Sequence, residues 1–385
     1  VATTTLYDSR FLNSVRIQRI IETAMATLER ERPLYYLDRL GLVNATDDEL
    51  FGRFTSRVFA ADILADGQKA NVYEGGKVDL IISSLANFKV GLNLDQAALN
   101  LLQKLSTIPR AQEEDAWLEW EMRFAETLLQ GVRDSMNEVA CAMMIDAYSY
   151  DRFGVKMSGA TWGMPSNLKV TVSPAWSLDA GVTSNAANAK PVRDMQQLDL
   201  VDADNYGLGV FDRVTMSSTA FHRMIETTEF QNKAAPFTGL YFALAAGTGF
   251  STEDREKMRQ LAERVLGKEI VIDNKTTRRQ NADGTQTTTR ALPANKVLLD
   301  RKSNGPREWD FGNGVLTESV VAEMLGRAPT LGRNPRMSVG GAYGPLGYYT
   351  LQSPDLNPPG INGWACTRGW PRKHILESSA VLTVW

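Results

Sequence analysis

The sequence predicts an α+β fold, on three observations. Residues 113–148 carry one unbroken apolar stripe at helical spacing, residues 54–92 and 269–300 switch to strand-like runs with hairpin turns, and AlaValLeuThrVal at 380–384 reads as a terminal strand. Helices and strands in such irregular order argue against a doubly wound parallel sheet. At 385 residues the chain can build a sizeable core and two or more domains.

In chain order, residues 8–32 read as an amphipathic helix. Val15, Ile17, Ile20, Ile21, Ala24 and Leu28 gather towards one side with arginines opposite, and Pro33 ends it. Further on, AspGly at 66–67 and GlyGly at 75–76 separate strand-like runs that continue at Val78–Ile82 and Phe88–Leu92. Such dipeptides between such runs signal hairpins, here an extended two-stranded arm. A lone ribbon is marginal in water, so this arm needs another surface to lie on. Leu94–Leu105 reads as a short helix closed by Pro109.

The long stripe follows: Leu118, Met122, Ala125, Leu129, Val132, Met136, Val139, Met143 and Ala147 step by three and four residues. Glu113, Glu114 and Asp115 stand at its start, where carboxylates favour the positive end of the helix dipole. A helix of roughly 35 residues is ~50 Å long, about three times the typical globular length.

Leu168, Val170 and Val172 then alternate as a strand, and Pro191 opens a helix through about Asp204. ArgValThrMet at 213–216 is a strand running into the capping residues SerSerThr at 217–219 and a helix to about Thr228. A helix from Ser251 to Leu266 stops at Gly267. Strands follow at 269–273 and 296–300, with a polar hairpin (276–279 and 285–290) between them around AsnAlaAspGly. From Gly305 to Gly369 the chain is rich in Gly, Pro and aromatics, with one short helix near Glu318–Leu325.

The net charge of -3, with both signs interspersed, leaves no basic footprint of a nucleic-acid binder. No apolar run approaches the ~18 residues of a membrane span, and ValAlaThrThrThr lacks the basic and apolar regions of a signal peptide. Cys141 and Cys366 form no spacing motif, which fits a reducing compartment.

Candidate chemistry is sparse. His222 and His374 have no Cys, His or carboxylate at ligand spacing, so structural or surface roles are expected. No Walker A loop, GxSxG elbow, HExxH or CxxC is present. AlaGlyThrGlyPhe at 246–250 lacks the lysine of a phosphate cradle, and the glycines at 340–347 lack a GxGxxG register. Carboxylate pairs such as Glu113/Glu114 and Glu253/Asp254 belong to first helical turns. Neither catalytic residues nor a cofactor or metal site is expected. What the residues do show is an arm, a hairpin, an oversized helix and an aromatic tail that a monomer would struggle to bury, and that identical subunits could bury for each other.

The ordered set resembles a known family. GlnLysAlaAsnValTyrGluGlyGly at 68–76, the Glu113–Tyr148 helix, LeuLysValThrVal at 168–172 and ProValArgAspMetGlnGln at 191–197 come first. ArgValThrMetSerSerThrAlaPheHisArgMetIle at 213–225, LeuProAlaAsnLysValLeuLeu at 292–299 and GlyTrpProArg at 369–372 complete it. These segments resemble, in order, the major capsid proteins of tailed phages, specifically the lambda-like "capsid protein E" family with the Hong Kong 97 (HK97) fold.

The resemblance implies an HK97-like capsid fold with an N-terminal arm (1–54), an extended E-loop hairpin (55–93) and a P-domain (94–184) holding the spine helix. It further implies an A-domain (185–340) and a return to the P-domain with a C-terminal strand (341–385). It implies a non-enzymatic subunit of hexamers and pentamers in an icosahedral virion head that encloses double-stranded DNA without sequence-specific binding. Assembly would take place in the host cytoplasm, with scaffolding, decoration and portal proteins as further partners. Inter-subunit contacts are expected on the E-loop at Asp66, Gly67, Lys69, Tyr73, Gly75, Gly76 and Lys77. In some relatives an E-loop lysine bonds covalently to a neighbour's asparagine; Lys69 or Lys77 would stand there, although this family generally lacks that chemistry. The alternatives are an encapsulin-like nanocompartment shell and, more remotely, a soluble α/β enzyme.

Overall fold

The computed structural model describes residues 23–24, 26–31, 34–45, 49–54, 78–83, 86–94, 110–152, 155–176, 187–240, 252–280, 285–302, 308–314, 338–339, 347–353 and 360–385. The described elements are helices and sheets of mixed order, an α+β fold. The chain divides into two units: Val1–Leu50 with Ile82–Asn137 and Phe311–Pro371, and Phe51–Ile81 with Glu138–Asp310 and Arg372–Trp385.

In the first unit, residues 26–31 are helical, with Ala24 and Leu28 buried and Glu29, Arg30 and Glu31 exposed. Strands β1 (Gly41–Ala45) and β4 (Ala86–Leu94) and most of helix α1 (Arg110–Met144) belong to this unit, whereas β2 (Glu49–Phe54) and β3 (Val78–Ser83) fall largely in the second. The stripe is buried where side chains are described: Ala125, Leu129, Val132, Met136, Val139 and Met143 are at most 3% exposed. Met122 is half-buried.

The helix ends four residues short of Tyr148, because the chain turns left-handed at Asp146 (φ 55°). Ala147 N–H donates to Ala142 O (3.0 Å) and Asp146 N–H to Met143 O (3.2 Å), the paired bonds of a Schellman ending. A non-glycine residue is disfavoured there. Here the buried Asp146 carboxylate accepts from Trp162 N–H and from Lys169 Nζ (2.8 Å), fixing the turn. Ala147 is therefore exposed, outside the stripe.

The Gly-, Pro- and aromatic-rich tail, to which the sequence assigns no strand, contributes β13 (Trp309–Gly314), β14 (Ser338–Val339), β15 (Gly347–Ser353) and the 14-residue β16 (Gly360–Lys373). The first unit's sheet runs β1-β13-β16-β15-β14, with β4 also on β16. Nine residues of β4 pair antiparallel with β16, from Leu94↔Ile361 to Ala86↔Gly369. The helices expected at 94–105 and 318–325 lie outside the described residues.

The second unit holds strands β5 (Tyr148–Arg152), β6 (Val155–Ala160) and β7 (Lys169–Thr171), then helix α2 (Pro191–Asn205) and strand β8 (Arg213–Met216). Ser217 caps α3 (Ser218–Ile225) by accepting from Ala220 N–H (3.1 Å). The single helix read to Thr228 is broken at Thr227. Its hydroxyl caps a further helix, α4 (Thr228–Ala234), by accepting from Phe230 N–H. Helix α5 (Thr252–Leu266) ends at Gly267, which takes φ 67°. Strands β9 (Glu269–Ile272), β10 (Thr276–Gln280), β11 (Gln286–Arg290), β12 (Lys296–Asp300) and β17 (Ser379–Thr383) follow.

The second unit's main sheet runs β7-β17-β12-β8-β9, parallel at both ends and antiparallel in the middle. Val214, Met216, Ile270, Val297, Leu298, Leu299, Ala380, Val381 and Leu382 are buried apolar residues of this sheet. Strands from segments 168–172, 213–216, 269–272 and 296–300 and from the terminal strand thus share one sheet.

Candidate assembly elements and a buried charge cluster

The E-loop contacts expected at Asp66, Gly67, Lys69, Tyr73, Gly75, Gly76 and Lys77 lie outside the described residues. The strands at the base of that loop are described. β2 pairs with β3, and β4 is zipped to β16. β4 also meets the long helix: a Cβ added at Gly131 would lie 3.4 Å from both Val90 methyls, an ordinary van der Waals contact that leaves room for a methyl and little more. Phe88 on β4 lies against Phe311 with ring centroids 6.4 Å apart. The segment before β1 is tied to the same helix, because the buried Asn137 Oδ1 accepts from Tyr36 N–H and Leu37 N–H, each at 3.1 Å.

The second unit contains a cluster of buried charge with no local sequence signal. Arg301, 4% exposed, is its hub. Its guanidinium pairs with Asp202 (2.7 Å), donates to Gly209 O (3.1 Å) and Glu377 O (3.3 Å), and stacks 4.4 Å from the Phe211 ring centroid. Around it, Arg213 pairs with Asp300, and Lys268 holds Asp199 (2.7 Å) and Phe211 O. Lys373, fully buried, donates to Ser379 Oγ (2.9 Å), which in turn donates to Met144 O (2.7 Å).

Asp310 accepts from Arg372 Nε (2.7 Å) and Nη2 (3.1 Å), with His374 Nε2 2.7 Å from its second oxygen. Burial pushes this carboxyl up, but the bonds to His374 and Arg372 outweigh burial and hold it below the usual range. Asp202, Glu308 and Glu377 go the other way. Desolvation raises each above its ordinary value, only partly offset by Arg301 and, for the two glutamates, Lys373. Glu308 Oε2 and Glu377 Oε2 are buried without a hydrogen-bond partner.

Both histidines were expected in structural or surface roles. His374 is half-buried against Asp310, and His222 half-buried beside a cavity of about 140 Å³ lined by Ser218, Phe221, Ile225, Met258, Ile272 and Asn274. Among the described residues no group of three or more His, Cys, Asp or Glu is placed to hold a metal, and no helix is long and apolar enough to cross a membrane. Cys141 and Cys366 are both buried. The loops at 246–250 and 340–346 lie outside the described residues. The cluster can store charge and rigidify one end of the sheet. Its members come from four separate stretches, and no motif could have announced it.

No family model matches the sequence, and no curated protein matches it. Solved structures do resemble it. A prophage protein of E. coli CFT073, solved as a candidate capsid protein, has a TM-score of 0.49 at 12% identity, covering 95% of this chain and 99% of its own. A phage-related protein from Bordetella bronchiseptica RB50 has a TM-score of 0.48 at 12% identity, with 94% and 95% covered. The mature capsid of bacteriophage PhiM1 has a TM-score of 0.44 at 13% identity, with 91% and 86% covered.

Proposed function

We propose that this chain is a structural shell subunit, the major capsid protein of a tailed double-stranded DNA phage, joining as hexamers and pentamers in a closed icosahedral head. The observation that supports this reading is the series of elements itself. A hairpin base at β3 and β4, a 35-residue helix, β7, α2, the strand–Ser–helix at 213–225, β12 and β17 stand in the order that the capsid resemblance requires.

In this reading α1 is the spine of a tile. The E-loop residues Asp66, Gly67, Lys69, Tyr73, Gly75, Gly76 and Lys77 lie on a neighbouring subunit, and many moderate interfaces add up through multivalency. Residues 185–340 form the A-domain at the capsomer centre in this reading, and the sheet of β7, β17, β12, β8 and β9 supports a close link between that domain and the P-domain strands β7 and β17. Scaffolding, decoration and portal proteins and assembly in a host cytoplasm belong to the same proposal.

Size exclusion and negative-stain microscopy of the purified full chain test it. Closed particles are expected, and a small monodisperse oligomer with turnover on a substrate would overturn it. Particles that package an enzyme in place of DNA would assign the shell to a nanocompartment.

A further inference from the structure

The β10–β11 ribbon has a chemistry that the shell reading leaves unused. Its strands pair antiparallel, with Thr276 opposite Arg290 and Arg278 opposite Thr288. Because side chains alternate across a strand, Thr277, Arg279, Thr287 and Thr289 share one face. That face is committed: Arg279 pairs with Glu138 (2.5 Å) and lies 5.4 Å from the Tyr150 ring centroid. The other face presents Thr276, Arg278, Gln286, Thr288 and Arg290. The first four are exposed; Arg290 is half-buried, and its Nη1 donates to Asn274 Oδ1 at the edge of the face (3.4 Å). This face offers guanidinium, amide and hydroxyl groups, with no carboxylate and no large apolar side chain.

Three features of this face suit a polyanion of defined shape. Arg278 and Arg290 are diagonal neighbours, and such pairs lie about 7–8 Å apart, close enough to meet successive phosphates of one strand. A two-stranded ribbon is also one of the few elements that the ~12 Å major groove of B-DNA admits. Arg, Gln and Thr, finally, are side chains that bond both phosphate oxygens and base edges. We propose that this open face contacts the backbone and major groove of double-stranded DNA. The inference rests on the shell reading and deepens it by naming where the enclosed DNA would be touched.

The chain's net charge of -3 does not oppose this, since it averages over a stretch in which Lys275, Arg278, Arg279 and Arg290 stand against one acid, Asp283. Two guanidiniums per subunit make a weak contact, and repetition around a shell makes it count. A carboxylate-rich protein could also pair with the arginines, but it would leave the fit of ribbon to groove unused.

Fluorescence anisotropy of a labelled random-sequence duplex against the full-length protein, titrated over a salt series, tests the proposal. The Arg278→Gln/Arg290→Gln double variant should bind about tenfold more weakly. Its slope of log K against log salt should be shallower by about 1.8. Arg278→Gln alone, at an exposed position, should remove about half of that slope change and serves if the double variant fails to fold. Arg278→Lys/Arg290→Lys should keep the slope. An unchanged slope in the glutamine variants overturns the proposal, as does tighter binding of a poly-glutamate peptide than of duplex. Particle formation is read separately by microscopy. Particles with an unchanged slope would sink the ribbon inference alone, whereas a DNA-binding ribbon on a protein that forms no particles would sink the shell reading alone.

Discussion

At the scale of single residues, the second unit is set by how buried charges are matched. Asp202, Glu308 and Glu377 are raised above ordinary carboxyl values, so over the window between ordinary and raised values the native state holds protons that the unfolded chain releases. Stability contributed by these three therefore falls as pH rises through that window. Glu377→Gln keeps the shape and removes the charge. It should raise the melting temperature at pH above neutral by a few degrees, and the gain should vanish in acid, where both forms are neutral. Calorimetry across pH checks this, and a pH-independent difference would mean that Glu377 does not titrate in the native state. Asp310 behaves oppositely. Its lowered value gives stability that is complete above the ordinary carboxyl range and lost as pH falls through the native value. Asp310→Asn would leave Arg372, only 4% exposed, without its carboxylate and should cost about 3–5 kcal/mol in urea unfolding at neutral pH. A cost near zero would show that water reaches Arg372.

At the scale of elements, the long helix combines a buried stripe with one position of close approach. Leu129, fully buried, should cost ~2–5 kcal/mol when cut to Ala. Gly131 is different, because glycine in a helix interior is about 1 kcal/mol worse than alanine. The Val90 methyls lie at ordinary contact distance from an added Cβ, so Gly131→Ala should be neutral to stabilising in thermal unfolding. Gly131→Leu should be destabilising, because the extra atoms displace Val90 or the helix. Equal melting temperatures for the two variants would place Val90 further from the helix. The stripe was readable because helical periodicity is a local pattern, and the same holds for β8 with its Ser217 cap and for β10–β11 with AspGly. The end of α1 was not readable, since it depends on Asp146 reaching Trp162 and Lys169. Nor was β16 readable: Gly363, Gly369 and Pro371 are poor strand residues, and the strand exists because β4 and β15 pair with it across long sequence separations. The charge cluster was hidden for the same reason. Asp202, Arg301, Asp310 and Glu377 meet only when the sheet has formed.

At the scale of the whole molecule, the hairpin arm has the task of joining subunits in the proposed shell. Deleting residues 66–78 should leave near-native circular dichroism and block closed particles; normal particles from that deletion would rule out an interface role for the hairpin. A last consequence follows from β17, which lies between β12 and β7. β17 follows both of its neighbours in the chain, so a nascent chain carries β12 and β7 with the place between them empty until residue 383 has been made. Both strands then present unpaired backbone until translation passes that point. An interrupted chain would lack the strand that joins β7 to its sheet. The second unit's native sheet can therefore close only in chains that extend past β17.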